Sequence, residues 1–185
     1  LVDSSTNQID LLDLRNYDPD AAPGTISDFT YRLTGVGSQF VHDITVVDGR
    51  LYASAWSDLV VFDVSDLDAG PPVELGSASG NSVHAAWPSD DGRYVVTGEE
   101  RGGGGLTLFE IIDNGGSITL DRLDTYALPG DKTSSVHNPL IVGDTIYVSW
   151  YEAGMVVLQI DRAAGEMVPI ASFDTTSLDG TNSFF

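Results

Sequence analysis

The chain has no cysteine, so neither a disulfide framework nor a cysteine-ligated zinc site can be built from it. That absence fits an exported protein without proving export. Basic side chains are scarce. Eight Lys and Arg, with Lys132 the only lysine, stand against 28 Asp and Glu, for a formal net charge of −20. A surface of that sign repels phosphate backbones and anionic bilayers, which argues against nucleic acid and acidic membranes as partners. No run of about 18 apolar residues occurs, so no direct membrane insertion by a helix is expected. Several catalytic signatures are missing too: there is no G-x-S-x-G elbow, no Gly-Lys-Ser/Thr phosphate loop and no D-x-D-x-D-G calcium loop.

What remains is a globular composition. Hydrophobic residues make up 42% and aromatics 9% of 185 residues, enough for a well-buried core despite the charge. The acidity has two readings. One is a solubility coat suited to high salt; the other is scattered calcium sites, since Asp and carbonyl oxygens are hard-cation ligands.

The organising feature is a phrase that occurs three times: a Val-His pair, a strand, a turn and a second strand. The copies begin at Val41-His42-Asp43, Val83-His84-Ala85 and Val136-His137-Asn138. Each leads to an aromatic-containing strand (Leu51 to Trp56, Tyr94 to Gly98, Ile146 to Trp150). An apolar strand with a polar residue near its end follows (Val60 to Val64, Leu106 to Ile111, Met155 to Ile160). Self-similarity every 40–50 or so residues, built from short strands, is the mark of a β-propeller or a related array. Turn chemistry agrees, with Asp48-Gly49, Ser89-Asp90-Asp91-Gly92 and Gly143-Asp144 between alternating strands.

The expected fold class is therefore all-β, a propeller segment of about three and a half four-stranded antiparallel blades. Residues 1–34 form a partial blade, in which Ile9 to Leu14 and Ile26 to Leu33 are its last two strands. Blades follow at 35–79, 80–128 and 129–175, and 176–185 starts the next. Propellers close with roughly four to eight blades. The count, together with a start at Leu1, leads to the expectation of a segment of a longer polypeptide.

The strings Ser135-Val136-His137-Asn138, Ile146 to Gly154 and Ala171-Ser172-Phe173-Asp174-Thr175 resemble LVIVD-repeat propellers. They are especially similar to the bacterial and archaeal surface proteins labelled choice-of-anchor B. That resemblance covers nearly the whole chain. It implies export and surface attachment, and no established reaction. The family's usual Gly-Ala-Trp-Gly segment and last blade are missing after Phe173-Asp174-Thr175.

All three histidines occupy one repeat position, so His42, His84 and His137 are expected on one rim of the channel. Trp56, Glu99, Glu100, Asn138, Trp150, Tyr151 and Glu152 lie near them as candidate binding residues. One reading is bracing, each imidazole bonding to a neighbouring blade or turn, with adjacent inner strands spreading the rings around the channel. The other is a metal site on His42, His84 and His137, since neutral imidazole with Glu or Asp suits zinc, iron or copper. Asp13, Asp63, Glu110 and Gln159 share a second repeat position and read as turn hydrogen bonding rather than an acid–base pair. Glu99 to Gly105 reads as a mobile hairpin loop, because its two carboxylates oppose phosphate. Trp87 reads as packing.

The leading functional expectation is an exported or cell-surface interaction or scaffold module, non-enzymatic, binding a protein or glycan and possibly part of a larger surface complex. It needs no cofactor, although calcium or a transition metal is possible. The alternative is a metal-assisted hydrolase or oxidase using the histidine rim and Glu99 or Glu152.

Overall fold

The computed structural model describes residues 6–13, 20 and 29–174. Thirteen strands account for most of them: β1 (Gln8–Leu12), β2 (Phe29–Thr34), β3 (Asp43–Val47), β4 (Arg50–Ser54), β5 (Trp56–Asp63), β6 (Val73–Pro88), β7 (Tyr94–Glu99), β8 (Leu106–Asp113), β9 (Ile118–Tyr126), β10 (Val136–Val142), β11 (Thr145–Trp150), β12 (Gly154–Asp161) and β13 (Glu166–Phe173). Among the described residues the one helical element is a single 3₁₀ turn, Tyr151–Ala153. No described helix is long and apolar enough to cross a membrane.

Every strand in a sheet pairs antiparallel with its sequence neighbour, in orders β1-β2, β3 to β9 and β10 to β13. The seven-stranded sheet is two blades that share β6. Residues 73–79 pair with β5 as the outer strand of one blade, and residues 83–88 pair with β7 as the inner strand of the next. The expected blade boundary between residues 79 and 80 falls inside β6, where the two stretches run on as one strand. They are continuous because the chain crosses between blades without leaving extended structure, apart from a left-handed Ser82 (φ 56°). The Asp48-Gly49 hairpin takes positive φ at both residues (48° and 75°), the type I′ geometry that suits strand twist. The N-terminal strands β1 and β2 pair with each other antiparallel, with Ile9 opposite Leu33. Leu14, Ile26 to Asp28 and the expected lead-in at 176–185 lie outside the described residues.

The core sits between consecutive sheets. Alternate residues of one strand serve different interfaces, as the two-residue period requires. Leu51 and Ala53 pack toward Ile9 and Val41, whereas Tyr52 packs with Val95, Phe109 and Ile111 of the next blade. Tyr94, Val96, Leu106 and Leu108 turn the other way, onto Ile141, Ile146, Val156 and Leu158. Residues 94–98 are thus buried without a break, because both faces of their sheet are covered. β11 and β12 instead alternate, and the far face of their sheet exposes Leu140, Val142, Tyr147, Met155, Val168 and Phe173.

Polar links fasten the blades away from the histidines. Arg162 reaches Asp144 on its own blade (2.6 Å) and Asp91 on the preceding one (2.5 Å), with its guanidinium over the Tyr94 ring. Arg50 pairs with Asp113 at 2.8 Å in the same way. The Ser89 hydroxyl and Arg162 hold the Asp91 carboxyl down at about 2. A depressed carboxyl stabilises the fold above its unfolded value of 3.8 and stops doing so as pH falls through about 2. Thermal melts should therefore show the advantage of the native protein over Asp91→Asn shrinking between pH 3.8 and about 2. A gap that does not change across that window would contradict this account.

Candidate functional site

His42, His84 and His137 enter from three successive inner strands. His42 stands at the entry to β3, where its backbone N–H donates to the Ser54 carbonyl (2.7 Å). His84 and His137 sit where the ladder slips: Val83 and Ala85 oppose Glu99 and Gly98 directly, as Val136 and Pro139 oppose Trp150 and Val148. Such bulges re-aim a side chain out of the pleat. Here they bring the imidazoles together. Ring centroids are 4.1 Å apart for His42 and His84, and 4.4 Å for His84 and His137. The expectation that adjacent strands spread the rings around the channel is therefore corrected: successive inner strands run against one another, close enough for these side chains to stack.

Glu100 lies at the centre of the cluster. Its Oε2 is 3.3 Å from His84 Nε2 and 3.9 Å from His42 Nε2, while its Oε1 accepts a 2.5 Å hydrogen bond from the Tyr151 hydroxyl. One carboxylate thus meets side chains from three blades. Burial pushes His84 down to about 4, with the neighbouring imidazoles adding to the shift and Glu100 opposing it. Burial first, then the bond to Glu100, pushes Tyr151 up to about 12, so it remains a donor. The bracing reading accounts for only part of this. Nδ1 of His42 and Nδ1 of His84 are both buried with no hydrogen-bond partner.

Among the described residues, two of the three non-glycine residues in the left-handed region adjoin the cluster, Trp56 (φ 59°) and Ser82 (φ 56°). A bulky residue held there is unusual. Trp56 faces His42 at 5.8 Å and Phe40 at 5.0 Å, and His137 meets Tyr151 edge-on at 5.2 Å. Phe40 was missed by sequence reasoning, although an aromatic two residues before His42 is visible in the chain.

Other expected site residues are placed differently. Trp150 is 1% exposed and belongs to the core beside Tyr126, because strand alternation puts it on the same face as Ile146 and Val148. It is not a rim aromatic. Glu99 is taken by Arg101 (2.8 Å) rather than by an imidazole; Asn138 and Glu152 are solvent-exposed, with Glu152 close enough to act on the Tyr151 hydroxyl, and keep the accessible positions a rim requires. The run 99–105 does not hang free as a mobile hairpin. Glu100 N–H donates to Ser82, Gly103 N–H to Ser134 and Gly104 N–H to Arg101. Asp63, Glu110 and Gln159 make the turn contacts expected of them, to Ser65 N–H, Arg93 and the Asp144 carbonyl. Trp87 packs against the core. A separate cavity of about 480 Å³ lies among Asp48, Arg50, Asp91, Arg93 and Asp113, but its arginines are already paired with Asp113 and Glu110.

With the geometry in place, comparison with known proteins bears on the fold. No protein-family model matches the chain, and no curated protein matches it. Solved structures do. A candidate 6-phosphogluconolactonase from Bacteroides fragilis superposes with a TM-score of 0.65 at 16% identity, over 94% of this chain and 51% of that one. The periplasmic gluconolactonase of Pseudomonas aeruginosa gives 0.59 at 18% identity (73% and 41%), and BamB from Moraxella catarrhalis gives 0.53 at 18% (79% and 41%). The fold is a β-propeller. The chain spans about half the length of these structures or less, and at such identities the likeness concerns architecture alone.

The propeller brings the backbone of β7 against that of β10 beside the histidines. A Cβ on Gly98 would stand 2.9 Å from the His137 carbonyl oxygen, closer than real contacts allow. Gly98→Ala should destabilise the protein by about 1–3 kcal/mol through forced separation of the strands. Denaturant unfolding would show it as a lower midpoint at unchanged slope, and a midpoint equal to the native one would refute the close approach.

Proposed function

We propose that this propeller is an exported, envelope or cell-surface recognition module that binds an uncharged glycan at the histidine rim without turning it over. The observation that carries the reading is the pairing of a tilted aromatic ledge, Phe40 and Trp56, with the polar cluster His42, His84, Glu100 and Tyr151. Sugar rings desolvate readily against flat aromatic faces while their hydroxyls need nearby donors and acceptors. The net charge of −20 disfavours anionic glycans and leaves neutral ones. Export and surface attachment rest on the resemblance to LVIVD-repeat, choice-of-anchor B proteins and on the lack of cysteine. A protein partner at the same rim, within a larger surface complex, is the other form of this reading.

A metal-assisted hydrolase or oxidase is the second reading, favoured by the convergence of Glu100 with two imidazoles. Binding of the purified protein to a panel of neutral oligosaccharides separates the possibilities. Recognition predicts saturable binding weakened at least tenfold in Trp56→Leu, with the oligosaccharide recovered intact. Cleavage or oxidation of the bound sugar would instead favour the enzyme. Absence of binding to every neutral oligosaccharide would remove the glycan reading.

A further inference from the structure

A carboxylate oxygen and two imidazole nitrogens placed within a few ångströms of one another suit more than mutual hydrogen bonding. Two ligands about 2.0–2.1 Å from a tetrahedral zinc ion lie roughly 3.3 Å apart. His84 Nε2 and Glu100 Oε2 already stand at 3.3 Å, His42 Nε2 is 3.9 Å from the same oxygen, and one ligand atom from each residue falls within 4.8 Å of the others. We propose that His42, His84 and Glu100 form a three-ligand site for a first-row divalent cation of the zinc class.

Three features support this beyond proximity. The donor set, two imidazoles and one carboxylate, matches borderline cations and is poor for calcium or magnesium, which take oxygen. The Tyr151 hydroxyl holds Oε1, so the carboxylate is oriented with Oε2 toward the imidazoles, the positioning contact that ligating carboxylates usually have. Finally, both imidazoles bury Nδ1 and turn Nε2 toward Glu100 Oε2, so the same nitrogen of each ring faces the shared point. Neither ring has the acceptor that usually holds the far nitrogen of a zinc-bound histidine, so affinity should fall below that of a fully supported site.

His137, stacked on His84, stands outside this set. The metal set expected from sequence, three histidines, is thus replaced by two histidines and Glu100. Three protein ligands leave a fourth position for water or a donor atom of a bound molecule. The site stands whether or not a glycan binds the rim.

The test is calorimetric titration of chelator-stripped protein with Zn²⁺ in a large excess of Ca²⁺, which masks the acidic surface. The expected result is one equivalent of saturable zinc. Glu100→Gln, which keeps the shape of the side chain, and His42→Gln should each weaken it at least tenfold, and Tyr151→Phe should weaken it about 10–100-fold. Glu74→Gln, at an exposed position on the outer part of β6, should leave it unchanged. Circular dichroism confirms that each variant is folded before titration. Zinc that Ca²⁺ displaces, a stoichiometry that never saturates, or equal binding by folded Glu100→Gln would overturn the site. Because the titration contains no sugar, its failure is separate from failure of glycan recognition.

Discussion

Everything in this molecule depends on sheets being covered by sheets. A single four-stranded blade has two apolar faces and cannot bury either alone, so each blade is stabilised by its neighbours, as in other repeat architectures. At about 1.5–3 kcal/mol for each fully buried Val, Leu, Ile or Phe, the interfaces that hold Tyr52 with Val95 and Val96 with Ile141 outweigh the ion pairs beside them. The exposed pairs Arg93–Glu110 and Arg50–Asp113 add little by comparison, because water and salt screen them. Their value is directional. With eight basic residues in the chain, Arg50 and Arg162 are placed across blade boundaries, where they fix how one sheet sits on the next.

The same stacking makes the site. Face-to-face packing brings successive inner strands close at the axis, and the repeat sets a histidine at each strand entry. Rings from separate blades then meet at 4.1 and 4.4 Å although their positions are 42 and 53 residues apart in the chain. Convergence is a property of the array and is absent from any one blade.

This explains what could be read from the chain and what could not. Strands, turns and blade order follow from period-two patterning and from pairs such as Asp48-Gly49, which are local signals. The three histidines were visible because repetition marks them. Their mutual distance was not visible, since it depends on the angle and spacing between sheets, which no local pattern encodes. Trp150 and Tyr151 illustrate the limit: adjacent aromatics divide between core and rim according to strand phase at the end of β11, where the ladder gives way to a 3₁₀ turn. Glu99 and Glu100 divide similarly, one toward Arg101 and the other toward the imidazoles.

Strand register points to a division of labour at the rim. Val83 opposes Glu99 and Val136 opposes Trp150, so Glu100 and Tyr151 occupy the same place in successive blades. Asp43 opposes Ser54 as Ala85 opposes Gly98, which puts Trp56 at that place in the first blade. Trp56 faces His42, Glu100 faces His84 and Tyr151 faces His137. One ring of the rim is constant, an imidazole from each of the three blades built from β3 to β13. The ring beside it differs at each blade: an indole, a carboxylate and a phenol. The constant ring supplies nitrogen donors at fixed spacing, and the varied ring supplies one negative charge, one hydroxyl and one flat apolar face. The Glu100 carboxylate gives the arrangement an electrostatic centre, and Tyr151 ties that centre to the third blade through Oε1. Structural repetition therefore builds the platform, and departure from repetition at a single position per blade gives it chemical character.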